Sequence, residues 1–306
     1  MTNVKILCMD GGGIRGVFAV AILAAIEEEM GEPISNAFDI VAGTSTGSII
    51  AAAVAVKRKM SDLLEDYKKY GEKIFLRQAK VGLFKTVYSD RYLRRFFQKA
   101  FGDLTLAEVE KPLLIPAVDL THGNPYVHRS NFGQAEHEND LSIKVWDAVL
   151  SSCSAPVYFP PNNMGNKFLS IDGGLWANNP SLVGITEAMH HFKERIENIQ
   201  ILSIGTGKQK IDFTDDGETS WGVKQWLPFH LPSMKVTPKL LDLALHLSSE
   251  SVSYQCEHLL GSNYLRINED LWDEIPFDEV KYMEQLIQTA SICIEGNKDR
   301  ILQFMK

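Results

Sequence analysis

Apolar residues fall in two kinds of run along this chain. Short, nearly continuous runs at residues 4–9, 38–42, 113–120, 167–171 and 199–204 are bounded by glycine, proline or polar residues and read as buried strands. Longer segments with apolar positions three and four apart, at 17–30, 48–59, 90–101 and 142–152, read as helices lying between them. Two more helical segments, 238–260 and 276–305, close the chain. Strand and helix in alternation predict an α/β fold of three layers, α/β/α, with a mainly parallel central sheet. No repeat, low-complexity tract or long linker interrupts the pattern. Residues 5–195 are therefore expected to hold the core, and 196–306 to complete the same domain with a strand and helices. The polar, turn-rich segment 212–220 is expected to be a mobile loop.

Composition changes this picture only at the surface. The 306 residues are 45% hydrophobic, enough for one large core, and carry a net charge of −8. That charge is uneven. Residues 57–99 hold thirteen Lys and Arg against five Asp and Glu, a local surplus of eight that leaves the rest of the chain at −16. Phe75, Leu83, Phe84, Tyr88, Tyr92, Phe96 and Phe97 interleave this basic stretch. Such a composition suits either an anionic lipid interface or an amphipathic helical pair with a solvated basic face. A second apolar surface candidate is 221–234, where Trp221, Trp226, Leu227, Phe229 and Leu231 sit among Pro228 and Pro232, as an interfacial lid or as packing on the core. No apolar run approaches the roughly 20 residues that span a bilayer, so any membrane contact is expected to be peripheral. Cys8, Cys153, Cys256 and Cys293 have no paired spacing, and neither C-x-x-C nor H-E-x-x-H occurs, so no metal site is expected. Residues 1–9 carry only Lys5 and run directly into a strand, which reads as no signal peptide and a cytoplasmic location, with transient contact at the inner face of the membrane.

The chemistry concentrates in three glycine-framed turns. Ser45 lies in Gly43-Thr44-Ser45-Thr46-Gly47, between the second strand and a helix. A serine on so sharp a turn needs glycine two residues away on each side, since flanking side chains would block the hydroxyl. The second turn, Asp10-Gly11-Gly12-Gly13-Ile14-Arg15-Gly16, joins the first strand to a helix start. Three glycines expose backbone N–H groups, and the helix end adds positive potential, so the turn suits an anion. Two anions fit: a dinucleotide pyrophosphate, or the oxyanion formed when a serine attacks an ester. The dinucleotide needs an acid closing the next strand, to hold the ribose; Asp39 opens that strand instead, and the strand ends in the serine turn. The oxyanion is favoured. Arg15 is read as a brace of the turn through main-chain carbonyls, with contact to a lipid phosphate as the alternative.

The third turn is Ile171-Asp172-Gly173-Gly174. A serine nucleophile needs a proton acceptor, and histidine is the usual one. His122, His128, His190, His191, His246 and His258 all fall outside glycine-framed turns, in helical or turn-rich segments, and read as surface or packing residues. A direct pair of Ser45 as nucleophile and Asp172 as base becomes the better hypothesis. A free aspartate, pKa about 3.9, is a poor base at neutral pH, so burial must raise it.

The trio DGGGIRG, GTSTG and DGG resembles the patatin-like phospholipase family of lipid acyl hydrolases. The likeness extends over nearly the whole chain, through 155–161 (APVYFPP), 203–207 (SIGTG) and 263–266 (NYLR). The resemblance implies a histidine-free Ser–Asp dyad, Ser45 and Asp172, an oxyanion hole from Gly11, Gly12 and Gly13 supported by Arg15, no cofactor, and phospholipid or another acyl lipid as substrate. It also implies one regulated form, since antiphage systems include such enzymes switched on by cyclic oligonucleotides. In that form the basic stretch or the C-terminal helices would bind the nucleotide or join copies into a homo-oligomer. No nucleic acid polymer is expected as partner. A Ser-His-Asp hydrolase of the α/β type and a dinucleotide-binding module remain as alternatives. The first is disfavoured because its serine turn follows several strands rather than the second.

Overall fold

The computed structural model describes residues 3–76, 86–130, 132, 141–165, 167–208, 229–230, 235–236, 239–271 and 275–305. Its first strand, β1 (Val4–Met9), lies inside an eight-stranded sheet. Side chains alternate across it: Leu7 and Met9 enter one core and Ile6 and Cys8 the other, as the two-residue repeat of a strand requires. β2 (Ile40–Gly43) and β7 (Ile199–Ile204) flank β1, both parallel to it. β3 (Leu113–Asp119) continues the sheet beyond β2, and β10 (Tyr264–Ile267) beyond β7, again in parallel.

The edge beyond β3 is antiparallel, a feature that the apolar runs do not encode because an apolar run has no direction. β4 (Asn124–Arg129) folds back on β3 through a turn too short for a parallel crossover. β6 (Leu169–Asp172) also runs against β3, and β5 (Asn162–Asn163) against β6. Apart from this sheet, β8 (Phe229–His230) pairs antiparallel with β9 (Lys235–Val236).

Helices cover both faces. α1 (Gly16–Met30), α2 (Thr46–Ala55), α3 (Met60–Ile74), α4 (Arg91–Phe101), α5 (Val145–Ser152) and α9 (Met283–Met305) build the core that includes Leu7 and Met9. α7 (Ser181–His191) and α8 (Lys239–Leu260) build the other, through residues such as Ile185, Ala188, Val252 and Cys256. A single turn, α6 (Gly174–Ala177), follows β6. All ten residues of α2 are buried. Its alanines at 51–53 let it lie close against the sheet, which places its N-terminus, next to Ser45, at the carboxyl edge of the parallel strands.

Two helix boundaries differ from the sequence reading. The segment expected as one helix, 48–59, ends at Ala55, because Lys57 takes a left-handed φ of 58°. α3 then starts at Met60, whose N–H donates to Glu27 Oε2 at 2.7 Å, and Arg58 is held by Asp66. The last helix begins at Met283 rather than near 276. Residues 275–282 are instead folded over the triple-glycine turn, where Ile14 N–H donates to Phe277 O at 2.8 Å.

The basic stretch 57–99 contains the amphipathic pair α3 and α4; of this stretch, residues 77–85 lie outside the described residues. α4 buries Leu93, Phe96, Phe97 and Phe101 and turns its arginines outward. Arg94 is tied down, donating to Asp90 and Asn162 and lying over the Trp146 ring, whereas Arg91 and Arg95 are exposed. The expected loop 212–220 and all but Phe229 and His230 of 221–234 also lie outside the described residues. All four cysteines are buried and free. Among the described residues no helix is long and apolar enough to cross a membrane, and no cluster of three or more His, Cys, Asp or Glu side chains could hold a metal ion.

Candidate active site

Ser45 joins β2 to α2 with φ 53° and ψ −123°, a conformation that non-glycine residues rarely adopt and that tends to mark functional turns. The flanking glycines are demanded by backbone rather than by access to the hydroxyl. A Cβ on Gly43 would stand 2.0 Å from Gly47 O, and one on Gly47 would stand 2.2 Å from Met9 O. The turn is fastened on several sides. Thr44 Oγ1 donates to Ala177 O at 2.6 Å, and Ser48 Oγ to Ser45 O at 2.6 Å. Ser45 N–H donates to Ser152 Oγ at 2.9 Å, which itself donates to Pro116 O at 2.6 Å.

β6 delivers Asp172 to this turn. Ser45 Oγ donates to Asp172 Oδ2 at 2.6 Å, and Gly174 N–H donates to Oδ1 at 2.7 Å, so both carboxylate oxygens are engaged. Gly173 is required because a Cβ there would meet Pro116 O at 2.3 Å. Asp172 is only 4% exposed. Burial pushes its pKa up to about 6, against the opposing pull of the bonds from Ser45 and Gly174. The result is a carboxylate ionised at neutral pH yet far more basic than a free aspartate.

No described histidine side chain hydrogen-bonds to Ser45 or Asp172. His128 is fully buried and meets Ser151 Oγ at 3.1 Å, and burial pushes its pKa down to about 3, so it is neutral. His122 pairs with Asp119, His191 with Glu187, and His258 Nδ1 with Tyr254 O. His246 lines the same cavity as Ser45 but makes no hydrogen bond with it.

The triple-glycine turn lines the same cavity as the Ser45–Asp172 pair, and a Cβ on Gly11 would stand 3.2 Å from Ser45 Cβ. Its amides are not equivalent. Gly11 N–H is taken by Asn178 O at 3.0 Å, so Gly11 has no donor left for a ligand, whereas no partner for the N–H of Gly12 or Gly13 occurs among the described residues. The carbonyls are braced from outside: Thr206 Oγ1 donates to Gly11 O at 3.1 Å, and Arg15 Nε to Gly12 O at 3.3 Å. Arg15 is buried, and burial lowers its pKa while Asp242 on α8 opposes the shift. Glycine is needed at 13, where φ is +58° and a Cβ would meet Phe277 O at 2.2 Å.

Just before the turn, Asp10 forms a two-pronged ion pair with Arg266 of β10. Arg266 Nη1 donates to Asp10 Oδ1 at 2.8 Å, and Nη2 donates to Oδ2. Arg266 also donates to Ser203 and Ser249, and Ser249 Oγ donates to Asp10. The two charged side chains are 9% and 3% exposed. Ser203 and Arg266 lie in the segments 203–207 and 263–266, which carry only the family resemblance, and no local pattern marks Asn178 or Ser152. Asp10, at the head of the glycine turn, was the available signal for a buried cationic partner.

The cavity measures about 1180 Å³, its open mouth included. Much of its lining is apolar, with Ile49, Tyr67, Ile74, Phe75, Leu93 and Phe96 from α2, α3, α4 and their loops. Polar groups of the lining include Arg15, Asp242, His246, Glu250 and Asn268. A hydroxyl paired with a buried carboxylate, in a largely apolar cavity also lined by Gly12 and Gly13, can attack an acyl carbonyl attached to a long hydrocarbon chain.

Comparison with known proteins agrees with this geometry. A family model described as patatin-like phospholipase matches residues 7–184. Patatin-like protein 4 of Arabidopsis thaliana is 30% identical, over 97% of this chain and 85% of its own. A protein of Pseudomonas aeruginosa named cGAMP-activated phospholipase is 28% identical, over 96% of this chain and 86% of its own. Among solved structures, VipD from Legionella pneumophila shares the fold with a TM-score of 0.50 at 12% identity, over 95% of this chain and 67% of that one.

Proposed function

Because this chain belongs to the patatin-like phospholipase family, and so to the lipid acyl hydrolases, we propose that it cleaves fatty-acyl esters of membrane phospholipids with Ser45 as nucleophile and Asp172 as its base. The observation that carries this reading is the 2.6 Å bond from Ser45 Oγ to a buried carboxylate. As the Ser45 oxygen bonds to the ester carbonyl carbon, its proton passes to Asp172. Charge on the carbonyl oxygen is met by the N–H groups of Gly12 and Gly13, with Arg15 holding the turn. The tetrahedral centre expels the alcohol, a lysolipid, which takes the proton from Asp172. Water then attacks the acyl-enzyme, giving up a proton to Asp172, and the acid leaves as Ser45 regains its hydrogen. Residues 5–195 carry this chemistry, and 196–306 complete the same domain, a reading supported by β7 and β10 in the one sheet.

Two experiments test the enzyme class. A serine-directed fluorophosphonate is expected to label the parent at Ser45, and phosphatidylcholine vesicles are expected to release free fatty acid and lysolipid. Failure to label, together with no acid release, would reject the serine mechanism. Gly13→Val, which places a side chain against Phe277 O, is expected to slow both reactions about a hundredfold or more, the usual effect of losing one oxyanion donor.

Peripheral contact with anionic lipid is proposed for the exposed basic face of α4. Charge reversal at Arg91 and Arg95 is expected to weaken binding to anionic vesicles while hydrolysis of a soluble ester is retained; unchanged vesicle binding would reject this face. A cyclic-dinucleotide activator is proposed from the name of the Pseudomonas relative. Basal hydrolysis unchanged by cGAMP and other cyclic dinucleotides would reject that regulation.

A further inference from the structure

Two asparagines follow the Asp172 turn, and their surroundings differ. Asn179 is fully engaged in anchoring the segment. Its Nδ2 donates to Ser253 Oγ and Tyr264 Oη, both at 3.1 Å, and its Oδ1 accepts from the N–H and hydroxyl of Ser181 at the start of α7. Asn178 instead lines the cavity that holds Ser45. Its own N–H is held by Ser248 Oγ at 3.2 Å.

Asn178 grips Gly11 at both ends. Its carbonyl accepts from Gly11 N–H at 3.0 Å, and its Nδ2 donates to Gly11 O at 3.5 Å. The amide also fills the gap between two turns: Oδ1 lies 2.3 Å from where a Cβ on Gly11 would stand and 3.0 Å from the equivalent point on Gly174. That second point is likewise 3.0 Å from Asp172 Oδ1. The preceding residue, Ala177, accepts from Thr44 of the serine turn. Residues 177–178 thus touch the serine turn and the glycine turn, and adjoin the turn after Asp172.

We infer that Asn178 is a positioning residue for acyl transfer: wedged between the glycine turn and the turn after Asp172, its amide sets the spacing between the Gly12 and Gly13 donors and the Ser45–Asp172 pair. This rests on the serine mechanism proposed above. A run of glycines has no side chains with which to define its own shape, and acyl transfer is sensitive to displacements of well under an ångström. The definition must come from neighbours, and Asn178 is the neighbour shared with the base.

The test uses the full chain and a soluble ester. Asn178→Ala is expected to lower kcat about a hundredfold with KM changed less than about threefold, and to slow fluorophosphonate labelling by a similar factor, since both reactions use the same donors. Asn178→Asp keeps the size but sets a second carboxylate beside Asp172. The titratable groups lining the cavity include Asp172, Asp10, whose carboxylate is paired with Arg266 behind it, Arg15, Asp66, and Asp242, His246 and Glu250 of α8. The acid limb of kcat/KM is therefore expected to move up by about one pH unit. A parent-like kcat in Asn178→Ala would overturn the inference, as would a parent-like acid limb in Asn178→Asp. Should Asn178→Ala not fold, the limb of Asn178→Asp decides. Ser45→Ala is run alongside. If it still turns over, the serine mechanism and this inference fall together; if it is inactive and the Asn178 variants behave as the parent, only the inference falls.

Discussion

Ser45→Ala is expected to lower phospholipid hydrolysis by about four to six orders of magnitude, and Asp172→Asn by about four, because nucleophile and base act as one unit. Free fatty acid release from vesicles by purified, folded variants is the measurement; more than about one percent of parental turnover in either would end the proposal. The parent's pH profile is tied to the same pair. Asp172 must be ionised to accept the proton, and its pKa is pushed up to about 6, so kcat/KM is expected to fall as pH drops through about 6. Asp172→Asn should also change stability, in the opposite direction to activity. The folded chain holds the Asp172 proton more tightly than the unfolded chain does, so the parent loses stability as pH rises from about 4 to about 6. At neutral pH the buried carboxylate destabilises the fold by roughly 2–3 kcal/mol. The asparagine variant should therefore melt higher than the parent at pH 7, and the gap should close near pH 4. A lower melting temperature at pH 7 would contradict the burial argument.

Arg266→Met is expected to destabilise the protein by about 3–5 kcal/mol, because it leaves the Asp10 carboxylate buried without its cation. For a chain of this size that is a fall of roughly five to eight degrees in melting temperature. The double variant Asp10→Asn with Arg266→Met removes both charges and should regain more than half of the loss, since two apolar or neutral groups need no mutual compensation. Thermal melts of the parent, both single variants and the double variant complete the cycle. A loss below about 1 kcal/mol in Arg266→Met would show that solvent reaches Asp10 and that the pair does not brace the glycine turn. The contact spans 256 residues and ties the last strand of the sheet to the head of the site. The C-terminal part of the chain is thereby fastened to the residue that opens the glycine turn.

Much of the site is legible in local sequence because its turns are stereochemically demanding. Gly43 and Gly47 around Ser45, Gly173 after Asp172 and Gly13 before α1 each stand where a Cβ would meet backbone within 2.3 Å. Only glycine fits, so the turns announce themselves. The same local logic located the five main strands and the order of helices. It did not locate the break at Lys57, where the backbone turns left-handed between two segments that each look helical. Nor could it divide the labour among three consecutive glycines. That Gly11 gives its N–H to Asn178, while the N–H groups of Gly12 and Gly13 have no partner among the described residues, depends on a neighbour 167 residues away in the chain.

By itself, then, the amino-acid order determined the alternation of strand and helix, the three glycine-framed turns and the candidacy of a serine and an aspartate, because backbone sterics and side-chain periodicity act over a few residues. Only the tertiary structure decided that β6 runs antiparallel to β3 and carries Asp172 to Ser45 across 127 residues, that burial raises the pKa of this acid, and that Arg266 holds Asp10 and Asn178 holds Gly11. Those outcomes depend on desolvation and on contacts between distant segments, which come into being when the sheet assembles.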